Sequence, residues 1–137
     1  MATYLMAVDA GTGSVRAVVF SLDGEQAGCV QQEWSHREDP RWPGSMDFDW
    51  VHNWELARGC VKGVLEETGI APADIAAVST TCMREGILLY DKDGNEIWAC
   101  ANVDARSDAQ VGQLKELDPA LEKEVYLKSG QTYALGA

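Results

Sequence analysis

A carboxylate and a glycine-rich turn stand between two strand-like runs in Met6-Ala7-Val8-Asp9-Ala10-Gly11-Thr12-Gly13-Ser14-Val15-Arg16-Ala17-Val18-Val19-Phe20. No other stretch limits the fold of this chain as tightly. Residues 17–20 are small, β-branched or aromatic and favour a second strand, so the loop joins strand to strand. Backbone N–H groups in such a turn can point at phosphate oxygens, because Gly11 and Gly13 permit positive φ and close approach. Asp9, at the end of the first run, is placed to hold Mg²⁺ directly or through water.

Two other phosphate loops use glycines near a strand end, and neither fits. A Walker A loop needs Gly, four residues and then Gly-Lys-Ser/Thr, a string the chain lacks. A dinucleotide fingerprint would continue Gly11-x-Gly13-x-x-Gly into a helix, but Arg16 stands at the third glycine. An ordinary hairpin, with Thr12, Gly13 and Ser14 chosen for turn geometry, remains open on the glycines alone. Asp9, Thr12, Ser14 and Arg16 at these offsets weigh against it.

The rest of the chain reads as α/β. Strands are expected at residues 4–9, 15–22 and 26–34, joined by short turns and therefore antiparallel, with Asp23-Gly24 as the second turn. Residues 36–44 break regular structure through Pro40 and Pro43. Asp47 or Asp49 can cap a helix over residues 50–68, with Trp54, Ala57, Val61, Val64 and Leu65 on its sheet-facing side and Gly69 at its end. Trp42, Trp50 and Trp54 are expected to cover the core. An apolar strand at 75–78 follows, then Ser79-Thr80-Thr81 at its carboxyl end, where open α/β sheets bind ligands. A hairpin at 87–90 and 96–98, a helical region from Asp104 through Leu117, and a short helix from Pro119 to about Leu127 complete the order.

Charge and cysteine usage narrow the partners. The net charge is −11, from 22 acidic and 11 basic residues, which repels nucleic acid and anionic membrane. The start of the chain lacks a signal-peptide pattern, and no run of about 18 apolar residues spans a bilayer, so a cytoplasmic location is expected. Cys29, Cys60, Cys82 and Cys100 show no Cys-x-x-Cys spacing and are expected to be reduced, buried thiols. His36 and His52 have no metal-ligand spacing.

Asp9-x-Gly11-Thr12-x-Ser14-x-Arg16 resembles the first phosphate motif of the FGGY carbohydrate kinases, in the actin and sugar-kinase superfamily. Cys82-Met83-Arg84-Glu85-Gly86 is similar to that family's sugar-contacting segment, and Trp98 to Arg106 to its Trp-x-x-x-Asp-x-Arg neighbourhood. Together with Ser45-Met46-Asp47-Phe48-Asp49, these runs look closest to the branch that phosphorylates autoinducer-2, the open form of dihydroxy-pentanedione. Similarity extends from Tyr4 to Leu135. The resemblance implies a ribonuclease H-like mixed sheet with antiparallel first three strands and packed helices. It implies ATP and Mg²⁺ as cofactors, Asp9 at the metal, and Gly11, Thr12, Gly13, Ser14 and Arg16 at the phosphates. Arg84, Glu85, Trp98, Asp104 and Arg106 would hold a small sugar, polyol or ketose.

The bland readings of those residues stay open at this point. Arg84 and Glu85 also suit a surface ion pair, Asp104 a helix cap beside Arg106, and Trp98 a core position. FGGY kinases are two-domain enzymes several times this length. Nothing after Arg106 resembles their Gly-Gly-x-x-Asp segment, which carries the general base, and the adenine-binding domain has no counterpart here. Residues 1–137 are therefore expected to be an incomplete N-terminal portion, inactive alone, whose partner is the remainder of a kinase chain. A homodimer through surface meant for that remainder is compatible with this. The alternatives are a non-catalytic sugar- or phosphate-binding module and another actin-fold ATPase, such as a hexokinase-like or acetate-kinase-like protein.

Overall fold

A computed structural model of the chain describes residues 3–131. Residues 132–137, where the resemblance implies a continuation into further helix and strand, lie outside them. The chain divides into two compact units, Met1–Ser35 with Asp49–Arg84, and His36–Phe48 with Glu85–Ala137.

The first unit holds a four-stranded mixed sheet. Strands β1 (Tyr4–Ala10), β2 (Ser14–Ser21) and β3 (Gln26–Glu33) run antiparallel as expected, and β4 (Ile75–Cys82) pairs parallel to β1, giving the order β3-β2-β1-β4. Alternate residues of β2, Val15, Ala17 and Val19, are fully buried under helix α1 (Trp50–Thr68), as a half-buried strand requires. β4 runs through Ser79-Thr80-Thr81 to Cys82, four residues past the expected end, because its register with β1 continues to Ala10↔Cys82.

Asp49 caps α1, its Oδ1 accepting from the His52 N–H at 3.0 Å. Gly69 ends it in the left-handed region, φ 68°, donating to the Leu65 carbonyl. The buried line on α1 is Asn53, Cys60 and Val64, flanked by Leu56, Ala57, Val61 and Leu65. Trp54 corrects the expected face: one residue on from Asn53 it lies about 100° round the helix, and it is 63% exposed. Trp42 is exposed as well and Trp50 is only half-buried, so these tryptophans do not form a core cover.

In the second unit, β5 (Ile87–Tyr90) and β6 (Glu96–Cys100) form the expected hairpin, turned by Asp91, whose Oδ1 accepts from the N–H groups of Asp93 and Asn95. The His36–Phe48 segment lies along β6: Phe48 N–H donates to Ala99 and Ala101 N–H to Met46. Helices α2 (Asp108–Leu117) and α3 (Leu121–Ser129) follow. The expected start at Asp104 is corrected by four residues, because that carboxylate is already bonded to the Met46 N–H and to Arg106.

All four cysteines are free. Cys60 and Cys100 are buried, and burial pushes both thiols up; Cys29 and Cys82 are exposed, against expectation.

Close packing of α1 on β3 depends on Gly28. A Cβ there would overlap Thr68 Cγ2 and lie 3.3 Å from Val64 Cγ2, and Thr68 is held in place by its hydroxyl bond to the Val64 carbonyl, 2.7 Å. Gly28→Ala is expected to destabilise the first unit by about 1–3 kcal/mol through overpacking, read as a lowered midpoint in chemical denaturation.

Candidate functional site

The β1–β2 hairpin places Asp9 opposite Arg16 and leaves residues 11–13 as the turn. Arg16 donates from Nε at 3.0 Å and from Nη2 at 2.7 Å, both to Asp9 Oδ2. The pair is partly open to water, with 30% of the Asp9 and 50% of the Arg16 side chain exposed. Neither Gly11 nor Gly13 adopts positive φ, which corrects that half of the expectation. What glycine provides at residue 13 is room: a Cβ there would meet nothing within 4 Å, so the backbone is approachable.

Sequence reasoning missed Trp34. Its indole Nε1 donates to the Thr12 carbonyl at 2.9 Å and its backbone N–H to the Gly13 carbonyl at 3.1 Å, so one residue straps the turn twice. Only the register could have revealed this: Ser14 faces Glu33 across β2–β3, and the next residue therefore falls beside the turn.

Parallel pairing of β1 with β4 brings their carboxyl ends together. Asp9 lies level with Thr81 and Ala10 with Cys82, and the Met83 N–H donates to the Ala10 carbonyl at 2.8 Å. Arg84, the next residue, is thus tied by backbone to the end of the strand that carries Asp9. Glu85 opens the second unit's run and is the non-glycine residue with positive φ, 66°, among the described residues. A bulky residue held there stores strain of about 1–3 kcal/mol, of the kind found at ligand-gripping turns.

Trp98, Asp104 and Arg106 do come together, within the second unit. The Arg106 guanidinium lies over the Trp98 ring, 4.9 Å from its centroid. It grips Asp104 through Nε at 2.9 Å and Nη2 at 2.7 Å, and reaches Asp47 from Nη2 at 2.5 Å. Asp104 also accepts the Met46 N–H at 2.6 Å and is 9% exposed. Burial opposes its ionisation, but the bonds from Arg106 and Met46 outweigh that and hold the carboxyl below its usual range. The Asp104 bond likewise raises Arg106 above its ordinary range. Asp104 does not cap a helix; it ties residues 98–106 to the segment containing Met46 and Asp47.

The donor set can be tested against a metal. Among the described residues no group of three or more His, Cys, Asp or Glu side chains could hold an ion. A protein-built cage is thus not assembled there, whereas Mg²⁺ that arrives with phosphates needs only one or two carboxylates. Asp9 suits that: both Arg16 bonds use Oδ2, and the turn beside it is open at Gly13.

A sheet that carries a carboxylate-and-glycine hairpin at the carboxyl end of β1, beside the Arg84 turn of β4, matches a known class. The chain belongs to the FGGY family of carbohydrate kinases, whose N-terminal domain matches residues 4–137. It is 56% identical over 135 residues to the autoinducer-2 kinases of Escherichia coli O9:H4 and Salmonella typhimurium. The matches cover 98% of this chain and 26% of each relative, so the chain spans about a quarter of their length. In fold it resembles xylulose kinase from Rhodospirillum rubrum, with a TM-score of 0.79 at 18% identity, covering 96% of this chain and 26% of that one. Gluconate kinase from Lactobacillus acidophilus is similar at TM-score 0.75 and 17% identity, over 95% and 25% of the two chains. Family membership sets aside the hexokinase-like and acetate-kinase-like alternatives.

The Asp104 cluster carries a pH signature. Because the folded carboxyl titrates below its unfolded value of about 3.9, its stabilisation is complete above that pH and is lost as pH falls through the folded value. Asp104→Asn is expected to destabilise the second unit by about 3 kcal/mol at neutral pH, since it leaves Arg106 and the Met46 N–H poorly matched. The variant's stability deficit should shrink below about pH 4, measured by urea denaturation across pH.

Proposed function

We propose that the chain supplies the phosphate-binding turn and part of the acceptor site of an ATP-dependent kinase that phosphorylates a hydroxyl of autoinducer-2, dihydroxy-pentanedione. The identity to autoinducer-2 kinases across 98% of the chain is the observation that carries this reading. The roles given to individual residues are those the family resemblance implies.

Phosphoryl transfer is largely positioning and charge neutralisation. In this reading the backbone of Gly11, Thr12, Gly13 and Ser14 holds the β and γ phosphates of ATP, with the Thr12 and Ser14 hydroxyls as further donors. Arg16, already beside Asp9, balances charge at the phosphate end. Mg²⁺, when bound, supplies charge neutralisation on the phosphates, and Asp9 orients it or its water. Arg84 and Glu85 grip acceptor hydroxyls from the turn after β4. Trp98 offers an apolar indole edge to the acceptor, and Asp104 and Arg106 act on that side chiefly by fixing Trp98, since their own charges are matched to each other. The proton acceptor belongs to a Gly-Gly-x-x-Asp segment found in longer family members. A chain without that base would lose about 10² to 10⁴ in rate on that account alone. The residues are assigned to the N-terminal portion of the kinase's first domain, in a cytoplasmic enzyme whose remaining chain completes the site; neither nucleic acid nor membrane is a partner. Among the described residues no helix is long and apolar enough to cross a membrane.

The test is ATP-dependent ADP release by the full-length gene product, offered dihydroxy-pentanedione, glycerol, xylulose and ribulose. Selective turnover with dihydroxy-pentanedione is expected; selectivity for another acceptor would retain the kinase and overturn the substrate. In the same assay, Asp9→Asn should lower kcat about 10- to 100-fold, as loss of an oriented metal contact does. Arg84→Ala should raise KM for the acceptor while KM for ATP stays near wild type.

A further inference from the structure

We propose that Trp34 is a positioning residue for the nucleotide phosphates, acting through the carbonyls of the β1–β2 turn. This rests on the reading of that turn as a phosphate cradle. In a trans peptide the C=O of one residue and the N–H of the next point in opposite directions, and the described backbone contains no cis bond. The Thr12 carbonyl is drawn to the Trp34 indole and the Gly13 carbonyl to the Trp34 backbone. The N–H groups of Gly13 and Ser14 must therefore point away from Trp34. A phosphate can use only donors that face it, so fixing these two peptide planes in advance removes an ordering cost from binding.

The two bonds differ in what they say about residue 34. Any non-proline residue there would donate its backbone N–H to Gly13, because the strand register supplies that bond. The bond to Thr12 needs a side chain with an N–H at the reach of an indole. Trp34 is half-buried and packs against the hydrophobic core cluster of the first unit, which anchors the donor. A tryptophan serving only as core filler would satisfy its N–H anywhere; this one spends it on the tip of the turn.

The experiment uses the full-length gene product and measures the Kd of MgADP and of dihydroxy-pentanedione by calorimetry. Trp34→Phe keeps an aromatic ring and the backbone donor but deletes the indole N–H together with part of the bicycle. A second protein carries β-(benzothiophen-3-yl)alanine at position 34, whose sulfur replaces the N–H at nearly unchanged shape, in case phenylalanine packs poorly. Both are expected to weaken MgADP about three- to ten-fold, the worth of one hydrogen bond, with acceptor binding unchanged. Val64→Ala, a core change away from the turn, controls for stability and should leave MgADP affinity unaltered at a comparable loss in melting temperature. Wild-type affinity in both position-34 proteins, or an equal loss in Val64→Ala, would overturn the role of Trp34 while leaving the phosphate cradle standing. No MgADP binding by the unaltered protein would overturn the cradle and Trp34's role with it.

Discussion

Backbone hydrogen bonding along both edges of β1 is the constraint on which the first unit rests. One edge pairs antiparallel with β2 and forces a tight return after Ala10; the other pairs parallel with β4 and brings that strand's carboxyl end level with the same return. The glycine turn and the Arg84 turn are neighbours for this reason alone, although 67 residues of sequence separate Arg16 from Arg84. A register slip of one residue between β1 and β2 would put Asp9 and Arg16 on opposite faces of the sheet, and a slip between β1 and β4 would move Thr81 and Cys82 out of level with Asp9 and Ala10.

The second unit relies on a different device. Its hairpin is short and mostly exposed, and two-stranded sheets are marginal in water. Arg106 compensates by joining two carboxylates from distant stretches, Asp47 and Asp104, above the Trp98 ring. The planar guanidinium with several donors suits this task where a lysine ammonium would not. A residue that the family resemblance places near substrate is thus also the unit's structural bond. On the proposed assignment, chemistry and folding share it, and substitutions there are expected to disturb both.

Much of this was legible from local signals. The alternation of Val15, Ala17 and Val19, the Asp49 cap and the Gly69 stop mark β2 and both ends of α1 with no tertiary information. Wherever the outcome depended on contacts far apart in sequence, the reading went astray. Trp54 looked inward on spacing alone, but the choice of Asn53, Cys60 and Val64 as the buried line was made by the sheet beneath them. Asp104 looked like a helix cap because its partner Met46, and Asp47, the other carboxylate on Arg106, are more than fifty residues away. Trp34 carried no motif; its position opposite the turn emerges only from the β2–β3 register. The positive φ expected at Gly11 and Gly13 is not used, while the close approach expected of them is left open at Gly13.

The central claim is that the turn after β1 receives nucleotide phosphate. A crystal structure of the full-length gene product with MgADP tests it most directly. Phosphate oxygens are expected within hydrogen-bond distance of the Thr12, Gly13 and Ser14 amides, with the metal on the Asp9 side. Nucleotide seated with its phosphates away from residues 9–16 would contradict it.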